Sequence, residues 1–310
     1  MKDFRKNTYA AVIGGLNIDI CGRPHSPIID RDSNPGTITT SVGGVGRNIA
    51  HNLCLLGVRV KLLTALGSDA EAGYAADSCD ALGIDISHSR IVSGAASSRY
   101  MFITDDNGDM RLAVNDMSIY ENMTPDYIDS MLDVINGAGV CIADANIPQE
   151  SLEYLAENCS VPLIIDPVSA AKSYRIKNII GKLHTLKPNI IEAKALTGIA
   201  ISDKSSLGAA ADKLVSTGLE RVFITMGKDG VLYADKTQRG LLPCLPHTMV
   251  NTTGAGDSFT AAAGWALMNG LSIRDTAKAG LAASAICLES AEAVNKNLSC
   301  ESLLERSGIA

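Results

Sequence analysis

Apolar runs of strand length alternate with helix-period segments along most of this chain, and that rhythm admits few architectures. Residues 9–16, 61–66, 139–143, 163–166, 184–187 and 221–226 read as buried strands. Between them, 46–56, 70–82, 125–135, 149–158, 190–197 and 205–216 carry helical periodicity. Repetition of strand, helix and strand yields a mainly parallel sheet covered on both faces. The expected fold class is therefore α/β, a three-layer α/β/α sandwich. Ligands of open sheets of this kind bind beyond the carboxyl ends of the strands.

Two regions break the rhythm. Residues 21–42 are rich in Pro, Gly, Ser and Thr, with a β-favouring Thr37-Ile38-Thr39-Thr40 stretch. Residues 97–105 and 109–115 flank Asp106-Asn107-Gly108, and Asn-Gly between alternating apolar segments signals a hairpin. Both are assigned to a small β-layer placed as a lid. The expected organisation is one domain, 1–310, with a discontinuous β-lid from about 21–42 and 97–118. Toward the C-terminus, 255–268 and 273–288 form helices rich in Ala and Gly, suited to close packing.

Charge narrows the partners. With 27 Lys+Arg against 34 Asp+Glu, the net charge of −7 repels a phosphate backbone, and the 13 aromatics are scattered, so no nucleic acid polymer is expected. The basic Lys2, Arg5 and Lys6 precede an apolar run too short for a secretory signal. No stretch has the length and polarity of a membrane span. Eight cysteines without a CxxC pair fit reduced thiols in a cytoplasmic protein.

Five clusters carry chemistry. Asn251-Thr252-Thr253-Gly254-Ala255-Gly256-Asp257 enters a helix, whose first amides can bind an anion such as a phosphate. Asp257 is then either a first-turn acidic residue that stabilises the helix or a general base for a hydroxyl attacking the phosphoryl group. Gly43-Gly44-Val45-Gly46-Arg47-Asn48 fails the dinucleotide GxGxxG pattern and reads as a loop closing on a polar small molecule, with Asn48 able to donate and accept. Asn17 and Asp19 fall at the end of the first expected strand, either gripping vicinal hydroxyls or forming an Asx turn. Asn189 and Glu192 share a first helical turn, as a capping box or beside a hydrated Mg²⁺. Thr225, Gly227 and Gly230 close another strand, and a simple turn explains them equally well.

Together these clusters resemble the PfkB (ribokinase-like) family of carbohydrate and nucleoside kinases, from about residue 11 to about 288. The resemblance implies a ribokinase-like fold, ATP and Mg²⁺ as cofactors, and Asp257 as catalytic base, with Gly254, Ala255 and Gly256 as the anion hole. It implies sugar binding by Asn17, Asp19, Gly43, Gly44 and Asn48, with Asn146 of Asp144-Ala145-Asn146-Ile147-Pro148 as a further sugar contact. Asn189, Thr225, Gly227 and Gly230 fall on the nucleotide, and Glu192 on magnesium through water. Many relatives open the last motif with Asp where this chain has Asn251, beside a monovalent-cation site, which weighs against potassium activation. The resemblance also implies a homodimer formed through the β-lid.

Within the family, Gly43–Asn48, Asp144–Pro148, Asn115-Asp116-Met117 and Asn251 are most similar to the branch acting on pseudouridine. The expected reaction is ATP-dependent phosphorylation of its 5′-hydroxyl. Ser98, Arg99, Asn115 and Asp116 are the lid residues placed to read the base, with Asn115 and Asp116 foremost. The alternatives are another sugar or nucleoside kinase of the family and a non-catalytic nucleoside sensor, for which Asp257 would serve no purpose.

Overall fold

A computed structural model describes residues 8–106 and 108–309; Lys2, Arg5, Lys6 and Asn107 of the sequence reading lie outside them. β1 (Tyr9–Ile13) is followed by β2 (Asn17–Pro24), β3 (Gly36–Gly43) and α1 (Val45–Leu55). Next come β4 (Arg59–Leu63), β5 (Ala65–Leu66), α2 (Ala70–Ala81), β6 (Ile84–Asp85) and β7 (Arg90–Ile91). β8 (Arg99–Thr104), β9 (Met110–Asp116), α3 (Pro125–Ser130) and α4 (Leu132–Asn136) lead to β10 (Val140–Asp144) and α5 (Gln149–Asn158). The second half runs β11 (Leu163–Asp166), β12 (Thr185–Leu186), α6 (Ile190–Thr197), α7 (Lys204–Ser216) and β13 (Arg221–Thr225). It closes with β14 (Val231–Asp235), β15 (Arg239–Leu242), α8 (Ala255–Met268), α9 (Ile273–Leu288) and α10 (Cys300–Ser307).

Nine strands form the main sheet in the order β15-β14-β13-β12-β11-β10-β1-β4-β6. From β6 to β13 every pairing is parallel, and the β13–β14 and β14–β15 pairings are antiparallel. Alternation along β10 divides two cores. Val140 and Ile142 pack with Ile49 and Leu53 of α1 and Ala262 of α8, whereas Cys141 and Ala143 pack with Leu152 of α5 and Leu207 of α7. The α/β/α layering expected from the sequence is what these two faces build.

Local chemistry sets the helix starts. Asp69, Thr124, Asp203, Ser272 and Ser299 each accept an amide hydrogen bond as N-caps, with Pro125 opening α3. The single helix expected over 125–135 is two. At Met131 (φ −104°, ψ 0°) the amide bonds back to Ile128, a tighter i→i+3 closure that turns the chain. The hairpin β14–β15 was not expected, and the turn at 226–230 joins it to β13.

The second sheet has the order β3-β2-β8-β9, with β2 and β8 parallel and its other pairs antiparallel. It begins at Asn17, earlier than the expected residue 21. Asn17 and Asp19 therefore belong to β2, not to the end of a first strand running to residue 16. Gly14 and Gly15 supply the break between the two, where the chain leaves the main sheet for the second.

Candidate active site

The main sheet reverses its winding between β1 and β10, since β1 continues to β4 on one side and the chain returns to β10 on the other. A cleft opens at such a switch point. There the amide of Gly15 donates to Asp144 Oδ2 (2.8 Å), which is the last residue of β10. Asp144 pairs in register with Asp166, the last residue of β11, so two apolar strands end side by side in carboxylates.

The glycine cluster is packed onto this break. Gly44 has φ +99°, and a Cβ on it would stand 2.4 Å from the Gly15 carbonyl. A side chain is thus excluded twice, by conformation and by space. Gly43 pairs with Asn17 in the β2–β3 ladder, with the Asp19 carboxylate filling the space a Cβ on it would need, and α1 begins shortly after. Asn48, in the first turn of α1, donates from Nδ2 to Asp257 Oδ2 at 2.9 Å, across 209 positions of sequence. Asn52 and Ser258 form a second bond between α1 and α8.

Asp257 sits in the first turn of α8, after Gly254, whose left-handed conformation (φ +83°) starts the helix against the Ala293 carbonyl. The first amides of a helix have no intrahelical acceptor, so those of Ala255, Gly256 and Asp257 are available to an anion at the start of α8. Burial pushes the Asp257 carboxyl up to about 8, and the charges of Asp166 and Asp144 push the same way against Asn48 and Lys187. A carboxyl of that acidity is matched to taking a proton near neutrality.

Lys187 lies directly beneath. Its ammonium is 3.3 Å from Asp166 Oδ2, and a Cβ on Gly256 would stand 3.3 Å from it. Burial opposes its charge, but Asp166, Glu192 and Asp257 outweigh burial and hold it protonated. Thr260 donates to the same Asp166 oxygen at 2.8 Å. Three carboxylates around one ammonium leave two negative charges in excess when all are ionised.

The structure places the remaining expected residues as follows. Asp19 Oδ1 is buried without a hydrogen-bond partner, and burial raises its carboxyl to about 6 while Arg47 pulls it down. A buried acceptor left open at a cleft is suited to a ligand hydroxyl. The Asn17 side-chain oxygen is already taken, accepting from Tyr120 Oη (2.8 Å) and Ser98 Oγ (2.9 Å), so it braces the cleft wall. Asn146 is fixed beside Gly15.

Asn189 and Glu192 form the capping box of α6: Asn189 Oδ1 accepts the Glu192 amide and Glu192 Oε2 accepts the Asn189 amide, both at 2.9 Å. Thr225 lies beside Asn189, its amide bonded to the Pro188 carbonyl. Gly227 opens the turn after β13. Gly230 is buried against Leu242 and Pro243 at the base of the β13–β14 hairpin, where its φ of +92° serves the turn.

In the second sheet, Ser41, Asp19, Tyr100 and Asn115 fall on one rung and therefore on one face. Asp116 falls on the next rung, opposite Arg99, so alternation turns it to the other face from Asp19, and its carboxylate accepts from the Ser118 amide and hydroxyl. Arg99 is drawn to Glu71 (2.8 Å) and Asp69.

Asp144, Asp166, Lys187, Tyr120 and Lys172 received no role from the sequence. The signal for the first two was present: apolar runs 140–143 and 163–165 both end in Asp. Among the described residues, no group of three or more Asp, Glu, His or Cys side chains is arranged to ligate a metal directly. The excess negative charge fits a hydrated Mg²⁺ shared with phosphates instead. At the opening of the same motif, Asn251 donates to the Ala291 carbonyl and accepts from the Thr253 amide, and Cys287 Sγ lies within hydrogen-bond reach of the Thr253 and Ala293 carbonyls. A neutral amide at 251 brings no carboxylate charge to a cation there.

Comparison with known proteins decides the family. The model of the pfkB family carbohydrate kinases matches residues 7–300. This chain belongs to that family. Its members are phosphotransferases with an alcohol group as acceptor. A pseudouridine kinase of Escherichia coli (strain K12) is 35% identical over 302 residues, 97% of this chain and 96% of that protein. An uncharacterized sugar kinase of the same organism is 34% identical over 300 residues, covering 96% of this chain and 82% of the relative. The ribokinase of Arabidopsis thaliana, solved with ribose and ATP, superimposes with a TM-score of 0.85 at 21% identity, over 98% of this chain and 99% of that one. The ribokinase-like fold expected from the motifs is thereby established.

Proposed function

We propose that this chain transfers the γ-phosphoryl group of ATP to the 5′-hydroxyl of pseudouridine. The observation that carries the reading is the Asn48–Asp257 hydrogen bond, which ties the helix growing out of the glycine loop, itself packed on Asp19, to the first turn of α8. Asp19 offers an unpaired acceptor to a sugar hydroxyl, and Asp257 takes the proton from the attacking oxygen. The amides of 255–257 and the Lys187 ammonium stabilise charge on the transferring group. Glu192 and Asp166 would hold Mg²⁺ through water, and the ion supplies charge neutralisation at the phosphates. The Escherichia coli relative supports pseudouridine as acceptor.

The second sheet acts as the lid in this reading, the whole chain forming one domain around it. Lid closure over the cleft keeps water from the phosphoryl group. Its opposite face exposes Ile38, Met101, Ile103, Leu112 and Val114, an apolar surface suited to pairing two lids in a homodimer. Eight free cysteines suit a cytoplasmic, reducing setting. Among the described residues, no helix is long and apolar enough to cross a membrane.

The test is ADP release on pseudouridine, uridine, inosine, adenosine, ribose and fructose 6-phosphate, with and without K⁺. Pseudouridine is expected to give the highest kcat/KM, with K⁺ having little effect on the rate, because Asn251 is a neutral amide and carries no carboxylate charge for a cation. A higher kcat/KM on any other acceptor rejects the substrate assignment and leaves the kinase chemistry standing.

A further inference from the structure

Lys172 is a half-buried cation beside the cleft that the phosphoryl chemistry does not use. Its Nζ donates to Asn146 Oδ1 and contacts Met117 Sδ at 3.6 Å. It takes part in none of the ion pairs formed among the described residues. A thioether is a weak acceptor and an ammonium carries three donors, so donor capacity is left over. Half-buried charges without a carboxylate partner are costly to keep, and this one stands at the edge of a ligand site. Burial lowers its pKa, partly offset by Asp144.

The surroundings are rigid. Three residues on, Arg175 donates to the carbonyls of Ala145, Asn146 and Ile147 at 2.9–3.3 Å and bolts that loop down. The amide of Asn146 also bonds to Asp144 Oδ1 (2.8 Å). Lys172 thus reaches over a fixed Asn146 toward Met117, where the lid strand β9 returns to the core. Asp144 links this corner to the glycine loop: its Oδ1 holds the amide of Asn146, the acceptor of Lys172, and its Oδ2 holds the amide of Gly15, on which Gly44 packs.

Given the kinase reading, we infer that Lys172 is a specificity-determining residue that donates a hydrogen bond to a carbonyl oxygen of the acceptor's base, with Met117 against the ring. The sugar hydroxyls already meet Asp19. With its 5′-oxygen at Asp257, a nucleoside carries its base at the other end of the ribose. A lysine can only donate, so it favours an oxo-base such as a uracil over an amino-base such as adenine, whose exocyclic group is itself a donor.

Steady-state kinetics of Lys172→Met and Lys172→Arg test this, on pseudouridine and adenosine and with ribose as substrate or competing ligand. Loss of one hydrogen bond to a charged donor is expected to raise KM for pseudouridine about 10- to 100-fold. In Lys172→Met, kcat should stay within about threefold and the ribose constant within about twofold, with partial recovery in Lys172→Arg. Should Lys172→Met not fold, Lys172→Leu is read in the same way. Equal losses on ribose and pseudouridine, or an unchanged pseudouridine KM, overturn the inference. A wild-type enzyme preferring another oxo-nucleoside rejects the pseudouridine reading alone, and the variants are then read on that nucleoside. One preferring adenosine or ribose rejects both.

Discussion

Asp257→Asn is expected to lose turnover by about 10²-fold or more while keeping nucleoside affinity, because the amide fills the same space and still accepts from Asn48 but cannot take a proton. Binding calorimetry beside the ADP assay separates the two effects; near-normal turnover would remove Asp257 from the mechanism. The wild-type kcat/KM should rise with pH and level off above about 8, where the carboxyl loses its proton. In the variant that limb disappears.

The same group carries a stability signature. Its folded pKa of about 8 lies above that of an unfolded Asp, so the native state holds a proton that the unfolded chain releases. Native stability from this site is complete at acid pH and is lost progressively as pH rises to about 8. Asp257→Asn avoids that loss and should melt higher than the parent at pH 9, by about 1 kcal/mol or more. A variant that is catalytically dead and more stable under alkaline conditions is difficult to explain by damage to the fold. A lower melting temperature at pH 9 would count against a carboxyl that its surroundings hold protonated.

Lys187→Met should be the most destabilising of the substitutions considered, by about 3–5 kcal/mol, since it strips the cation from a buried ion pair and strands Asp166, Glu192 and Asp257 together. The deficit should be larger at pH 8 than at pH 5.5, because the stranded carboxyls can neutralise themselves by binding protons at the lower pH. Denaturant titrations at both pH values measure it. A pH-independent deficit would mean that lost packing, and not charge, is responsible. Turnover should fall as well, through the anion site above the ammonium.

Long-range convergence explains what was and was not legible beforehand. The parallel strands announced themselves as apolar runs with helices between them, and β10 and β11 were located to within a residue. β5, β6 and β7, two residues each, leave no periodic trace. The Asp257 motif was readable because its parts are adjacent in sequence. Lys187 and Asp166 were not, since a strand ending in Asp and a Lys before Pro look ordinary until β11 and β12 lie side by side. Asn189 and Glu192 could be read either as a cap or as a metal site, and the fold makes the cap while leaving Glu192 near the charges of the cleft. Asn115 and Asp116 were equivalent in the sequence, and strand alternation separates them: only Asn115 shares the face of Asp19.

The hydrogen bond between Asn48 and Asp257 has a bearing on how such an enzyme can change its acceptor. Asn48 belongs to the helix that grows out of the glycine loop, so anything that reshapes the loop also shifts the donor that tempers the basicity of Asp257. Recognition and reactivity are not separate modules here. A new acceptor acquired by altering residues 43–48 would arrive with a retuned base, and a loop transplanted from a relative should bring its own pH optimum with it.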